Sequence, residues 1–183
     1  MRKVIAAINM TLDGFCDHTA IIPDEEIHHH YADLLNNAGV VLYGRITYQL
    51  MQFWQTLLKN PSGEETMDDF AMALDKIPKI VFSRTLKSTG WESAKLANRT
   101  IEEAVLELKQ QSGKNIFVGS RSLIIQLMKL NLIDEYQLMV HPVVAGSGLP
   151  LFENINDRTI LKLIKTKTFS VGAVTLFYEP TKK

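Results

Sequence analysis

Cysteine is nearly missing from this chain: Cys16 stands alone among 183 residues. That excludes an internal disulfide and any metal centre built on several thiolates, and the remaining thiol reads as structural in a reducing compartment. An excess of one charge is missing too. Twenty Lys plus Arg balance twenty Asp plus Glu, so no net field draws the whole molecule toward DNA, RNA or an anionic bilayer, and no nucleic-acid partner is expected. Long apolar runs are also lacking. After Met1-Arg2-Lys3 the segment Val4 to Ile8 is too short for a signal-peptide core and far too short to span a bilayer. A cytoplasmic protein without a membrane partner is the expectation. What is present is an average globular composition, 46% hydrophobic and 22% charged, at a length that suits one compact domain over residues 1–183.

The apolar pattern alternates between strand and helix. Val4 to Ile8 reads as a buried strand that stops at Asn9 and the Asp13-Gly14 turn. From Pro23 and Asp24 an amphipathic helix follows, with Ile27, Tyr31, Leu34, Leu35 and Ala38 on one face and Gly39 as its expected C-cap. Val40 to Tyr43 is a second strand, Thr47 to Trp54 a helix, and Lys59 to Glu65 an exposed loop. Lys79 to Phe82 is a third strand, with a short piece around Trp91 as a possible fourth. Thr100 and Glu103 form a capping box for a helix from Ile101 to Gly113. Asn115 to Val118 is again a strand, and Leu123, Ile124, Leu127, Met128 and Leu130 mark another helix. Tyr136 to Val140, Leu161 to Lys165 and Val174 to Tyr178 close the chain as strands. Strand and helix in alternation imply an α/β fold with a parallel sheet covered on both faces, and the strand-rich end implies antiparallel strands added at one edge.

Ligands of open α/β sheets sit outside the carboxyl ends of the strands, so the exit turns carry the chemistry. Three turns share one recipe. Gly44-Arg45-Ile46-Thr47 follows strand two, Ser83-Arg84-Thr85 follows strand three, and Gly119-Ser120-Arg121-Ser122-Leu123 follows the strand at Asn115. Glycine permits close approach, a helix start offers backbone N–H groups, and arginine is a forked donor for phosphate. Each turn also has an ordinary structural explanation. Together they suggest a dinucleotide, although neither the Rossmann Gly-x-Gly-x-x-Gly nor the P-loop is present.

The segments Asn9 to Phe15, Leu42 to Tyr48, Val81 to Leu86, Phe117 to Leu123, Leu132 to Tyr136 and Pro142 to Gly148, taken in order, resemble the dihydrofolate-reductase-like superfamily. Among its branches the sequence is most similar to stand-alone relatives of the reductase domain of the bifunctional riboflavin-biosynthesis deaminase/reductase, the RibD C-terminal domain. The resemblance implies a dihydrofolate-reductase-like three-layer sandwich, with a mainly parallel central sheet, antiparallel carboxyl-terminal edge strands and NADPH lying across it. Gly44, Arg45 and Thr47 would then meet the pyrophosphate and adenosine phosphate. Ser83 and Arg84, with Thr85 in the same turn, would meet the adenine ribose and its 2′-phosphate. Gly119, Ser120, Arg121, Ser122 and Leu123 would meet the pyrophosphate and the nicotinamide-side ribose, and Ala7, at the end of strand one, the carboxamide. Gly119-Ser120 replaces the Gly-Gly pair of classical dihydrofolate reductases.

The implied activity is reduction of a small nitrogen heterocycle of the pteridine or pyrimidine type. Two alternatives accompany it: the riboflavin-pathway reduction of 5-amino-6-(5-phosphoribosylamino)uracil, and a non-catalytic nucleotide-binding or sensing protein. Glu26, in the first turn of the first long helix, and Asp13, in the Leu-Asp-Gly turn, are the candidate catalytic carboxylates. Helix-dipole preference alone is the stronger explanation of the first, and turn formation is the structural alternative for the second. His28-His29-His30 is no metal site, since three successive helical side chains diverge. Relatives are commonly homodimers, and Phe169, Val171 and Phe177 could supply such a surface or simply fill the core.

Overall fold

A computed structural model describes residues 1–21, 23–155 and 158–181. Eight strands make one sheet: β1 (Val4–Thr11), β2 (Ala38–Gly44), β3 (Lys79–Phe82), β4 (Ala94–Leu96), β5 (Asn115–Val118), β6 (Glu135–His141), β7 (Leu161–Thr168) and β8 (Val174–Pro180). Their order across the sheet is β4-β3-β2-β5-β1-β6-β8-β7. The six strands from β4 to β6 are mutually parallel. β8 runs antiparallel to β6, and β7 antiparallel to β8, because a hairpin reverses the chain where no helix is available to carry it back. The mainly parallel sheet with an antiparallel edge is the architecture read from the alternating pattern.

The helices are α1 (Glu25–Asn36), α2 (Arg45–Met51), α3 (Phe53–Lys59), α4 (Glu65–Lys76), α5 (Ile101–Gln110) and α6 (Arg121–Lys129). Side chains alternate across each strand, which splits the core in two. On one face Val4, Ala6, Val40, Leu42, Ile116 and Val118 pack with Val105 of α5 and Leu123, Ile124 and Leu127 of α6. On the other, Ala7, Val41, Tyr43, Val81 and Phe117 pack with Ala32 and Leu35 of α1 and Phe70, Ala73 and Leu74 of α4. Both faces are therefore covered through the parallel part. β7 is the outer strand, and Lys162 to Thr168 are all exposed. Phe169 and Phe177 are buried and serve the core, whereas Val171 is exposed.

Several local expectations differ from the structure. α1 ends at Asn36 and Gly39 lies inside β2, not at a helix cap. A Cβ on Gly39 would come 2.9 Å from the Arg2 guanidinium and 3.0 Å from the Lys114 carbonyl, so the glycine serves close strand approach. The expected single helix after β2 is two, broken at Gln52. The fourth strand is Ala94–Leu96, while Trp91 is a buried loop residue. α4 occupies a stretch for which the sequence pattern predicts no helix, and it supplies Phe70, Ala71, Ala73 and Leu74 to the core.

Candidate functional site

Parallel strands all point their carboxyl ends to one edge, so the turns leaving β3, β2, β5 and β1 emerge side by side. The turns after β2 and β5 touch. Gly44 N–H donates to Ser120 Oγ at 2.9 Å in a buried setting, and a Cβ on Gly44 would stand 3.0 Å from Ser122 Oγ. Gly44 also pairs with Phe82 in the β2–β3 register, which sets Arg45 beside Ser83. Gly44, Ser83 and Gly119 thus lead turns that form one continuous edge. At Gly119 an added Cβ would meet the Phe117 ring at 3.2 Å and the Tyr43 ring at 3.6 Å.

The side chains at this edge have distinct commitments. Arg45 is exposed and donates to Gln49 Oε1 at 3.0 Å. Arg84 and Thr85 are exposed, Thr47 is half-buried and Ser122 is exposed. Ser83 Oγ accepts from the amides of Thr85 and Leu86 at 3.1 and 3.0 Å, so its hydroxyl builds the turn that displays Arg84. Leu123 is buried in the core. Arg121 points elsewhere: Nε donates to the Pro150 carbonyl at 2.6 Å and Nη2 lies 2.6 Å from Glu153 Oε1. Ala7 is buried in mid-strand rather than at a strand end, because β1 continues to Thr11.

Both candidate carboxylates hold loops. Asp13 accepts from Thr11 Oγ1 at 2.6 Å and from the amides of Ala145 and Gly146 at 3.1 and 2.7 Å. These donors, the Thr11 hydroxyl foremost, pull its pKa down to about 2, which leaves it an anion at neutral pH. Glu26 accepts from the Ser170 amide at 2.9 Å and its hydroxyl at 3.1 Å, tying α1 to the β7–β8 hairpin. The segment after β6 is stitched down elsewhere too: Leu12 N–H donates to Val143 O, Cys16 N–H to Leu149 O and Leu151 N–H to Gly14 O. Burial pushes the half-buried Cys16 thiol up to about 11, which keeps it protonated and inert.

Asp13→Asn is expected to free this segment. A carboxylate depressed from 3.8 to about 2 contributes fully above the higher value and loses its contribution as pH falls to the lower one. Hydrogen exchange at the Ala145 and Gly146 amides will therefore quicken in the variant at neutral pH, and in the unaltered chain only on strong acidification. Equal exchange in the two proteins at neutral pH would disprove the clamp.

Two features of the edge escaped sequence reading. The turn after β4 carries Asn98 and Arg99 beside Ser83, since Ala97 N–H donates to Val81 O at 2.9 Å. Together with Ile80, Leu96, Glu107 and Leu108 they line a groove of about 300 Å³. At the other side of β1, His141 ends β6 and its Nε2 lies 2.9 Å from Asn9 Oδ1. Neither has a local signature, because both depend on which strand lies next to which. The three histidines of α1 diverge as helical geometry requires: His28 packs on Trp54 and Phe70, His29 meets Asp33, and His30 packs on Tyr31 and Phe169. No helix among the described residues is long and apolar enough to cross a membrane.

Comparison with known proteins finds the same architecture. The family described as the RibD C-terminal domain matches residues 2–176. The Bacillus subtilis protein YyaP, itself uncharacterized, is 35% identical over 97% of this chain and 94% of its own. A pyrimidine reductase-like protein of Corynebacterium diphtheriae superposes with a TM-score of 0.68 at 15% identity, over 100% of this chain and 93% of that one. The diaminohydroxyphosphoribosylaminopyrimidine deaminase/5-amino-6-(5-phosphoribosylamino)uracil reductase of Thermotoga maritima gives 0.64 at 15% identity, over 98% of this chain and 57% of that one.

Proposed function

Since the chain belongs to the RibD C-terminal domain family, we propose that it is an NADPH-dependent reductase of a small nitrogen heterocycle of the pteridine or pyrimidine type. One observation carries this reading: Gly44, Ser83 and Gly119 lead turns that meet at a single edge, with the Gly44 amide bonded to Ser120 Oγ. The residues present fit a phosphorylated nucleotide. Gly44 leaves 3.0 Å between a would-be Cβ and Ser122 Oγ, so the two turns close without a side chain between them. Arg45 and Arg84 are exposed on the rim, available as forked donors to the 2′-phosphate that distinguishes NADPH from NADH. Ser122 and the amino end of α6 face the pyrophosphate on this reading. Arg121 is the residue whose part changes: its contacts with Pro150 and Glu153 make it a brace for the segment after β6.

NADPH supplies the hydride, and the chain binds, orients and excludes water. Titration of the protein with NADPH is expected to raise nucleotide fluorescence with a dissociation constant in the micromolar range. No binding there would dispose of the proposal. The commitment of Asp13 and Glu26 to loops favours a second reading, a nucleotide-binding sensor without turnover. Loss of NADPH absorbance on addition of dihydrofolate or 5-amino-6-(5-phosphoribosylamino)uracil separates enzyme from sensor, and the second substrate tests the riboflavin-pathway reaction.

A further inference from the structure

Asn9 and His141 form a polar pair at the carboxyl edge that the cofactor reading leaves unused. Ala7, Asn9 and Thr11 alternate onto the α1 face of β1, and the parallel register sets Asn9 beside Met139 and Thr11 beside His141. The imidazole thus shares the sheet face of Ala7 and sits beyond it, at the carboxyl edge beside Thr11. Only 4% of His141 is exposed, and a buried polar side chain in a strand costs stability unless it is bonded.

The bond that is made fixes the ring. Nε2 stands 2.9 Å from Asn9 Oδ1, an oxygen that can only accept, so Nε2 carries the hydrogen. Nδ1 is then a bare lone pair, and no hydrogen bond to it is made among the described residues. The charged group facing the ring is Asp24, at the cap of α1, which favours protonation. Burial opposes it and prevails, holding the histidine below its ordinary value and the ring neutral at neutral pH. The residues that β1 sets beside the ring, Asn9 and Thr11, are uncharged.

We propose that His141, locked by Asn9, is the substrate-orienting residue of the reductase, its Nδ1 lone pair accepting a hydrogen bond from an N–H of the heterocycle. The inference rests on the reductase reading above and narrows it: the substrate is a pyrimidine or pteridine bearing a lactam N–H or an amino group at the edge that meets β6. Protonation turns Nδ1 from acceptor into donor, so two N–H groups then face each other and binding is lost on the acid side.

The test uses the full chain saturated with NADPH, with 5,6-diaminouracil titrated by calorimetry across a pH series. The unaltered protein is expected to bind the pyrimidine with an acid limb. His141→Leu removes the acceptor and weakens binding by about tenfold. His141→Gln keeps an acceptor that does not titrate, so it binds without the acid limb. Asn9→Asp places a carboxylate on Nε2–H, raises the histidine pKa and moves the limb up by about one pH unit. NADPH affinity, followed by fluorescence, stays the same in all four proteins. A merely structural histidine would give neither the flat profile nor the shifted one, and unchanged profiles in the Gln and Asp variants overturn the inference. So does failure of the NADPH-loaded protein to bind 5,6-diaminouracil. Failure to bind NADPH at all instead removes the reductase reading, and the inference with it.

Discussion

Replacing Arg45 and Arg84 together by alanine will weaken NADPH binding by about a hundredfold and leave NADH binding within about twofold of its starting value. A charge-assisted hydrogen bond to an exposed phosphate contributes about 1.5–3 kcal/mol, and each 1.4 kcal/mol is a factor of ten. Two such contacts on one phosphate share its charge, so their effects sum incompletely. Both guanidinia are exposed, and among the described residues Arg45 bonds only to Gln49, so the fold loses little when they go. Fluorescence titration of the double variant with both nucleotides checks this. An equal loss for NADH and NADPH would show that the arginines do not read the 2′-phosphate. Arg121 belongs to another class, since its removal unties Pro150 and Glu153.

The second large effect lies at the opposite end of the sheet. Lys79, the first residue of β3, is 1% exposed. Its ammonium donates to Ser93 Oγ at 2.6 Å, the Ile77 carbonyl at 2.9 Å and the Asp75 carbonyl at 3.3 Å, and lies 4.1 Å from the centre of the Trp91 ring. Trp91 in turn donates to Asp75 Oδ1 at 2.7 Å. Lys79→Met keeps the volume and leaves three acceptors without a donor, which is expected to cost about 2–4 kcal/mol and lower the melting temperature by roughly 5–15 °C.

The pH dependence has a definite sign. Burial lowers the Lys79 pKa from 10.5 to about 8, against the pull of Asp75. Between those two values the unfolded chain holds the proton that the folded chain has released, so this residue makes stability rise with pH across that window. Melting curves at about pH 7.5 and 9.5 should show the unaltered protein gaining on Lys79→Met as pH rises. An unchanged melting temperature in the variant would mean that the buried cation is not a structural centre.

The legible parts of this chain were those with short-range causes. Each exit turn announces itself within five residues, because glycine, hydroxyl and arginine act on their own backbone and on solvent. The capping box at Thr100 and Glu103 is equally local, and both of its hydrogen bonds are present. α4 was hidden because its buried face leans on Ala71 and Ala73, small residues that add little apolar contrast. β1 and β6 extend beyond the apolar runs that mark them because Thr11 and His141 are polar residues on buried strand positions and Asn9 is half-buried between them, explicable only once the strands are paired. The same holds for Arg121, whose partners Pro150 and Glu153 are supplied by a distant loop. In each of these cases the deciding contact is remote in sequence.

The place of β1 has a consequence for biosynthesis. It sits inside the sheet between β5 and β6, yet precedes both in the chain. On the ribosome its apolar residues Val4, Ala6 and Ala7 must remain unpaired until Asn115–Val118 and Glu135–His141 have left the exit tunnel. Such a nascent chain offers an open strand to any holdase or aggregating neighbour for most of its translation, and its sheet closes late, around its earliest piece.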